Sequence, residues 1–135
     1  MRSRVLQVLA IAIVLAVPAT VGAQFGHPMK GQWSGSWGPK NNPNRILLNL
    51  DWDGKEITGV INPGPTAATV KSVVFDYTNP VAWGVKITAE GKDASGKPVA
   101  ISVDGKLENL GAYAKLFHGT WTQGTQKGDF VVTRN

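Results

Sequence analysis

From residue 31 onward, apolar side chains recur at every second position in short runs, and the runs are separated by glycine, proline, asparagine and aspartate. No stretch keeps a 3.6-residue period long enough for a helix. Period two puts alternate side chains on opposite faces of an extended ribbon, so each run can bury its apolar face only as part of a sheet. The runs fall at 31–37, 45–52, 56–61, 69–77, 81–90, 99–108, 113–121 and 130–134, which makes eight strands. Regularly spaced alternating strands with Gly and Pro turns imply a sandwich or a barrel.

The faces read clearly in several places. Gly31, Trp33, Gly35 and Trp37 share one face of the first run, opposite Gln32, Ser34 and Ser36. Ile46, Leu48, Leu50 and Trp52 share a face of the second, with Leu47 the apolar exception opposite. Asp53-Gly54 then predicts a tight hairpin turn with positive backbone angles. Val73, Phe75 and Tyr77 lie on one side of the fourth run, while Val99, Ile101, Val103 and Leu107 face inward on the sixth. Residues 38–44 form a polar loop of turn formers, placed to act as a lid.

The two ends of the pattern echo each other. Gly31-Gln32-Trp33 opens the first strand, Gly119-Thr120-Trp121 lies on the penultimate one, and Arg134 stands next to last. This predicts that the first and last strands meet. Near-uniform up-and-down order favours closure, because a closed sheet has no exposed edge. The predicted fold is all-β, an eight-stranded antiparallel up-and-down barrel preceded by a signal peptide, with Gly31, Trp33, Gly119, Trp121 and Arg134 at the closure.

Gly31-x-Trp33, Asp53-Gly54-x-x-x-Thr58-Gly59 and Arg134 resemble the calycin group, the lipocalin-like and avidin-like barrels. The lipocalin resemblance implies that Arg134 lies across Trp33 at the barrel base, a cation–π contact of about 0.5–2 kcal/mol. Residues 31–61 are also similar to the avidin-like pattern of a Trp strand followed by a strand ending in Thr-Gly. The ending Gly119-Thr-Trp121-Thr-Gln-Gly124, before a strand closing in Thr-Arg, resembles an uncharacterised domain of secreted bacterial proteins, sometimes found beside serine hydrolases. All these matches rest on glycines, tryptophans and one arginine, which make a shape and name no ligand. The biotin-contacting polar set of avidins has no residue-by-residue counterpart, so biotin is not carried over.

Arg2 and Arg4 precede an apolar run at 5–17 interrupted only by Gln7, and small or short side chains follow at Val21 and Ala23. Charged start, apolar middle and small-residue exit predict a secretory signal peptide over 1–23, cleaved after Ala23. The apolar run falls short of the roughly 20 residues that cross a bilayer as a helix. Export to the periplasm or the medium is the expected address. Residues 24–30, with His27-Pro28, show no period and are expected to be a mobile leader before a barrel domain over 31–135.

Losing Arg2 and Arg4 takes the formal charge from +5 to +3. The remaining lysines are scattered singly near turns, whereas nucleic-acid binding calls for a clustered basic stripe, so no nucleic-acid partner is expected. With no cysteine, the domain must stand without disulfides, and its tryptophans supply part of the core that this requires.

Metal and catalytic chemistry find little support. Asp51-x-Asp53-Gly54-x-Glu56 lacks the third ligand before the glycine and the glutamate six residues after it that a calcium loop needs. His27 and His118 are the two histidines; His27 falls in the leader, and His118 on the face opposite Phe117, Gly119 and Trp121. Neither has a ligand or dyad partner at sequence spacing. No catalytic residue, metal or cofactor is expected.

The aromatic residues carry the functional expectation. Trp33 and Trp121 are expected in the core. Trp37, Trp52 and Trp83 lie near strand ends, and with Phe75, Tyr77 and Tyr113 they are candidates to line a ligand site at the barrel mouth. The expected function is a non-enzymatic binding module for a small apolar or aromatic ligand, entering between loop 38–44 and the turn after Tyr77. The alternative is a protein-interaction or inhibitor domain that docks on a secreted enzyme. Tryptophans near strand ends are either pocket lining or packed core, and a filled interior would move function to the loops or outer face.

Overall fold

The computed structural model describes residues 26–135. The predicted signal peptide over 1–23 lies outside the described residues, as do Gln24 and Phe25 of the leader. The alternating runs form eight strands: β1 (Gly31–Trp37), β2 (Asn44–Trp52), β3 (Ile57–Ile61), β4 (Ala68–Asp76), β5 (Ala82–Lys92), β6 (Pro98–Glu108), β7 (Leu116–Gln123) and β8 (Gln126–Arg134). Each pairs antiparallel with the next, and β8 pairs with β1, so the sheet is a closed barrel. The described residues contain no helix.

The closing seam places Trp33 opposite Arg134, Gly35 opposite Val132 and Trp37 opposite Phe130. Beyond the ladder, the Asn135 N–H donates to the Gln32 carbonyl at 2.9 Å. Backbones approach closely along the seam because Gly35 has no side chain. A Cβ there would run into the Val131 carbonyl and stand 2.8 Å from the Val132 Cα.

Inward positions of all eight strands fill the interior. Trp33, Trp121, Phe117, Ile46, Leu48, Ile61, Ile87, Leu107, Val85, Val103 and Val132 are almost wholly buried, and no polar or charged residue among those described is buried. An eight-stranded barrel is about wide enough for side chains to fill. Each buried indole removes roughly 150–250 Å² from water, an upper figure of about 4–6 kcal/mol. The rings interlock: Phe117 and Phe130 meet edge to face at 4.8 Å, and Trp37 stacks on Trp121 at 6.0 Å. Gly105 faces Gly119 across β6 and β7, and the space above Gly105 belongs to Phe117 and Phe130, each 2.8 Å from where its Cβ would be.

Two local readings are corrected, and one feature of β4 escapes alternation. Asp53-Gly54 is not a two-residue turn: Trp52 pairs with Ile57, residues 53–56 form the connection, and of the two only Gly54 has positive φ. The Asp53 carboxylate accepts the Lys55 and Glu56 N–H groups instead, each at 2.8 Å. In β4 the register shifts between Val70 and Ser72, so Val70 and Val73 both turn toward the core although strict alternation separates them. The seventh strand starts at Leu116 rather than at residue 113, and leaves Tyr113 on the loop before it.

Strict up-and-down order sends alternate connections to opposite ends. The segment 26–30, connections 53–56, 77–81 and 109–115, and the C-terminus lie at one end, called here the near end. Connections 38–43, 62–67, 93–97 and 124–125 lie at the far end.

Replacing Gly35 with Ala is expected to lower stability by about 3 kcal/mol, because the Val131 carbonyl cannot retreat without breaking the seam. Gly111→Ala, where a Cβ meets open space, should stay within about 0.5 kcal/mol of the parent. Urea unfolding of the two variants measures the difference.

Candidate functional site

At the near end the inward faces of three strands finish in aromatic side chains. Trp52 is the last residue of β2, Phe75 the penultimate residue of β4 and Trp83 the second of β5. Each continues an apolar face, so the alternation that builds the core carries a ring to the rim. Tyr77 follows β4, stacks on Phe75 at 5.6 Å and meets Trp83 edge on at 4.6 Å. Trp52, Phe75 and Trp83 are half-buried, and Tyr77 is 54% exposed.

The leader is not free of the barrel, contrary to the expectation from its lack of period. Its described residues 26–30 pack on the near end. Pro28 occupies the second position of a turn closed by the Lys30 N–H donating to the His27 carbonyl at 3.0 Å, a place that suits its fixed φ. Met29 drops into the core with no exposed surface, and its carbonyl accepts the Trp33 Nε1–H at 2.9 Å. A buried indole N–H needs such a partner. The same turn sets the His27 ring among the rim aromatics, its centroid 4.9 Å from Trp52, 4.6 Å from Phe75 and 5.9 Å from Trp83.

The six candidate ligand residues therefore divide. Trp52, Phe75, Tyr77 and Trp83 come together. Tyr113 belongs to the same end but stands 88% exposed on connection 109–115. Trp37 is at the far end, buried and stacked on Trp121, so it belongs to the core. Entry between loop 38–44 and the turn after Tyr77 is excluded, because those connections sit at opposite ends of the barrel.

Closure residues also need one correction. Trp33 and Trp121 are buried as expected, and Arg134 pairs with Trp33 across the seam. Among the described residues, however, no guanidinium–indole stack joins them. The Arg134 side chain lies over Gly31, its Nε 2.8 Å from where a Cβ of Gly31 would be. The indole has turned inward to the Met29 carbonyl, and the missing side chain of Gly31 leaves the guanidinium its place. Arg134 also lies near Lys115, whose pKa falls through burial first and the neighbouring guanidinium second.

Charge at the near end is divided. Cationic Lys115 and Arg134 stand by β7, β8 and β1, while Asp51 on β2, Asp53 on connection 53–56 and Asp76 on β4 lie exposed on the opposite side, with Lys55 near Asp53 and Lys86 near Asp76. Asp76 is held below the usual carboxylate range by the hydroxyl and then the N–H of Thr78, and Asp53 by the N–H groups of Glu56 and Lys55. Both are anions at neutral pH.

Two features escaped sequence reasoning. His27 and Met29 sit in a segment without period, where Pro28 alone hinted at a turn. His118 has a partner after all: Glu108 lies 3.3 Å from its Nε2 across β6 and β7, on the outer wall where both are partly exposed. No group of three His, Cys, Asp or Glu suited to a metal occurs among the described residues. Comparison with protein-family models, curated proteins and solved structures found no match to the chain.

The Met29 N–H donates to His27 Nδ1 at 3.1 Å, which requires that nitrogen to be unprotonated. Burial among the rings also lowers the His27 pKa from 6.5. A folded pKa below the unfolded one means that docking of this residue contributes fully above about pH 6.5 and weakens as pH falls through the lowered value. NMR titration of the His27 ring should give a midpoint below 6.5, with tryptophan fluorescence changing over the same range; a midpoint above 6.5 would contradict the docked geometry.

Proposed function

We propose that the protein is an exported, non-enzymatic binding module that takes a small apolar or aromatic ligand on the near-end ring collar. The observation that carries this reading is the convergence of Trp52, Phe75, Tyr77 and Trp83 on one incompletely buried rim, above an interior already filled. Pockets for small ligands combine aromatic walls with a few polar groups, and here the rings supply the walls while His27 is the polar group among them. The closed eight-stranded barrel is compatible with a calycin-like fold, and kinship with lipocalin-like or avidin-like barrels is part of the proposal. It differs from a barrel with a ligand inside, since here the core leaves only the rim for contact. Export rests on the signal-peptide pattern of residues 1–23.

A second reading, docking on a secreted protein, is favoured by one observation. Tyr77, Val81 and Tyr113 all stand more than half exposed on near-end connections. Exposed apolar groups clustered at one end suit a protein partner.

Titration with a panel of apolar and aromatic probes is expected to shift the tryptophan fluorescence of the parent. In Trp83→Ala the affinity should fall about tenfold or more, the loss of a stacking wall being worth roughly 1.5 kcal/mol. No shift with any probe, together with retention of a protein partner in a pull-down from periplasm or medium, would replace the small-ligand reading with the docking one.

A further inference from the structure

The position of His27 shows what the near-end rim can surround. Its ring is not beside one aromatic residue but among three, and the centroids of Trp52, Phe75 and Trp83 all lie within 6 Å of it. That is the distance over which an aromatic face attracts a cation, and several rings about one point is the arrangement that receives alkylated ammonium groups. We propose that Trp52, Phe75 and Trp83 form a cage for a quaternary ammonium head group, and that His27 occupies this cage as a built-in competitor in the unliganded protein. The inference deepens the binding reading above and rests on the same collar.

The chemistry of the occupant selects the ligand class. A protonated imidazole would have to strip water from its N–H groups to stay among the rings, and would lose the hydrogen bond that Nδ1 accepts from Met29. His27 therefore sits in the cage as a neutral ring and leaves the negative ring faces unused. A quaternary ammonium carries a fixed charge and no N–H, so it gains the ring attraction without that desolvation cost. Primary amines share the handicap of imidazolium. Asp51 and Asp76 neighbour Trp52 and Phe75 in sequence, but alternation turns them to the outer face, Asp76 beside Lys86, so the selection for a quaternary ammonium rests on the rings themselves.

Displacement of His27 need not unseat the segment that bears it. Met29 is anchored independently, by its burial and by the Trp33 Nε1–H on its carbonyl. The tie specific to the imidazole is the Met29 N–H on Nδ1. A cage ligand thus has to replace one ring and one hydrogen bond, and the barrel below stays closed.

Choline and its uncharged carbon isostere 3,3-dimethylbutanol separate this inference from the broader one. Both are titrated, by tryptophan fluorescence and calorimetry, into the parent protein, His27→Ala and Trp83→Ala, with circular dichroism confirming each fold. Phe75→Leu replaces Trp83→Ala if the latter does not fold. The expected result is that His27→Ala binds choline about tenfold tighter than the parent does, since the self-occupied fraction no longer taxes affinity. Choline should also bind about tenfold better than the isostere, and loss of a cage ring should abolish the preference. Equal binding of both compounds would overturn the cation cage while leaving the apolar-ligand reading intact. Equal choline affinity in the parent and His27→Ala would overturn the role of His27 as competitor. Failure of choline to bind any variant would overturn the cage outright, and the apolar probe panel then tests the broader reading separately.

Discussion

The hydrogen-bonded seam between β1 and β8 is the constraint on which the rest depends. Without it the sheet would have two open edges, and the inward faces of its outer strands would have nothing to pack against. With it, Trp33, Phe117, Trp121, Phe130 and Val132 come from both ends of the chain to one core. Gly35 permits the approach, and the Asn135 amide on Gln32 extends it by one more contact. Closure therefore comes from backbone pairing and small residues. Arg134 is a flanking part that covers Gly31 rather than a clamp across Trp33.

Closure also decides where a ligand can be met. A sealed ring of eight strands has little spare volume, and bulky side chains consume it. The same alternation that fills the middle continues to the strand ends, where it delivers Trp52, Phe75 and Trp83 to a rim without enough partners to bury them fully. Residues 26–30 complete that rim partly, with Met29 beneath and His27 among the rings. The near end is thus a finished hydrophobic layer covered by an unfinished aromatic one.

Much of the barrel was legible because period two is a local property. The inward faces of β1, β2, β5 and β6 follow directly from alternation, as does the burial of Trp33 and Trp121. Where the backbone departs from that period, reading by alternation failed. The register shift between Val70 and Ser72 brings two opposed side chains to one side, and no residue type there announces it. The turn after Trp52 lengthened because the Asp53 carboxylate could satisfy two N–H groups by itself. Part of the candidate site was legible in the same way: rings at the ends of apolar faces were identifiable, but the end of the barrel that Trp37 reaches was misjudged.

Sequence alone determined the eight alternating ribbons, most of the side chains they turn inward, and the likeness of the first and penultimate strands, because those are set by spacing along one chain. Tertiary structure decided the register of β1 against β8, the placement of Arg134 over Gly31, the pairing of His118 with Glu108 and the seating of His27 among three rings. Each of these brings together groups far apart in sequence or off any period. Such contacts depend on how a closed sheet curves around its core, and curvature is a property of all eight strands at once.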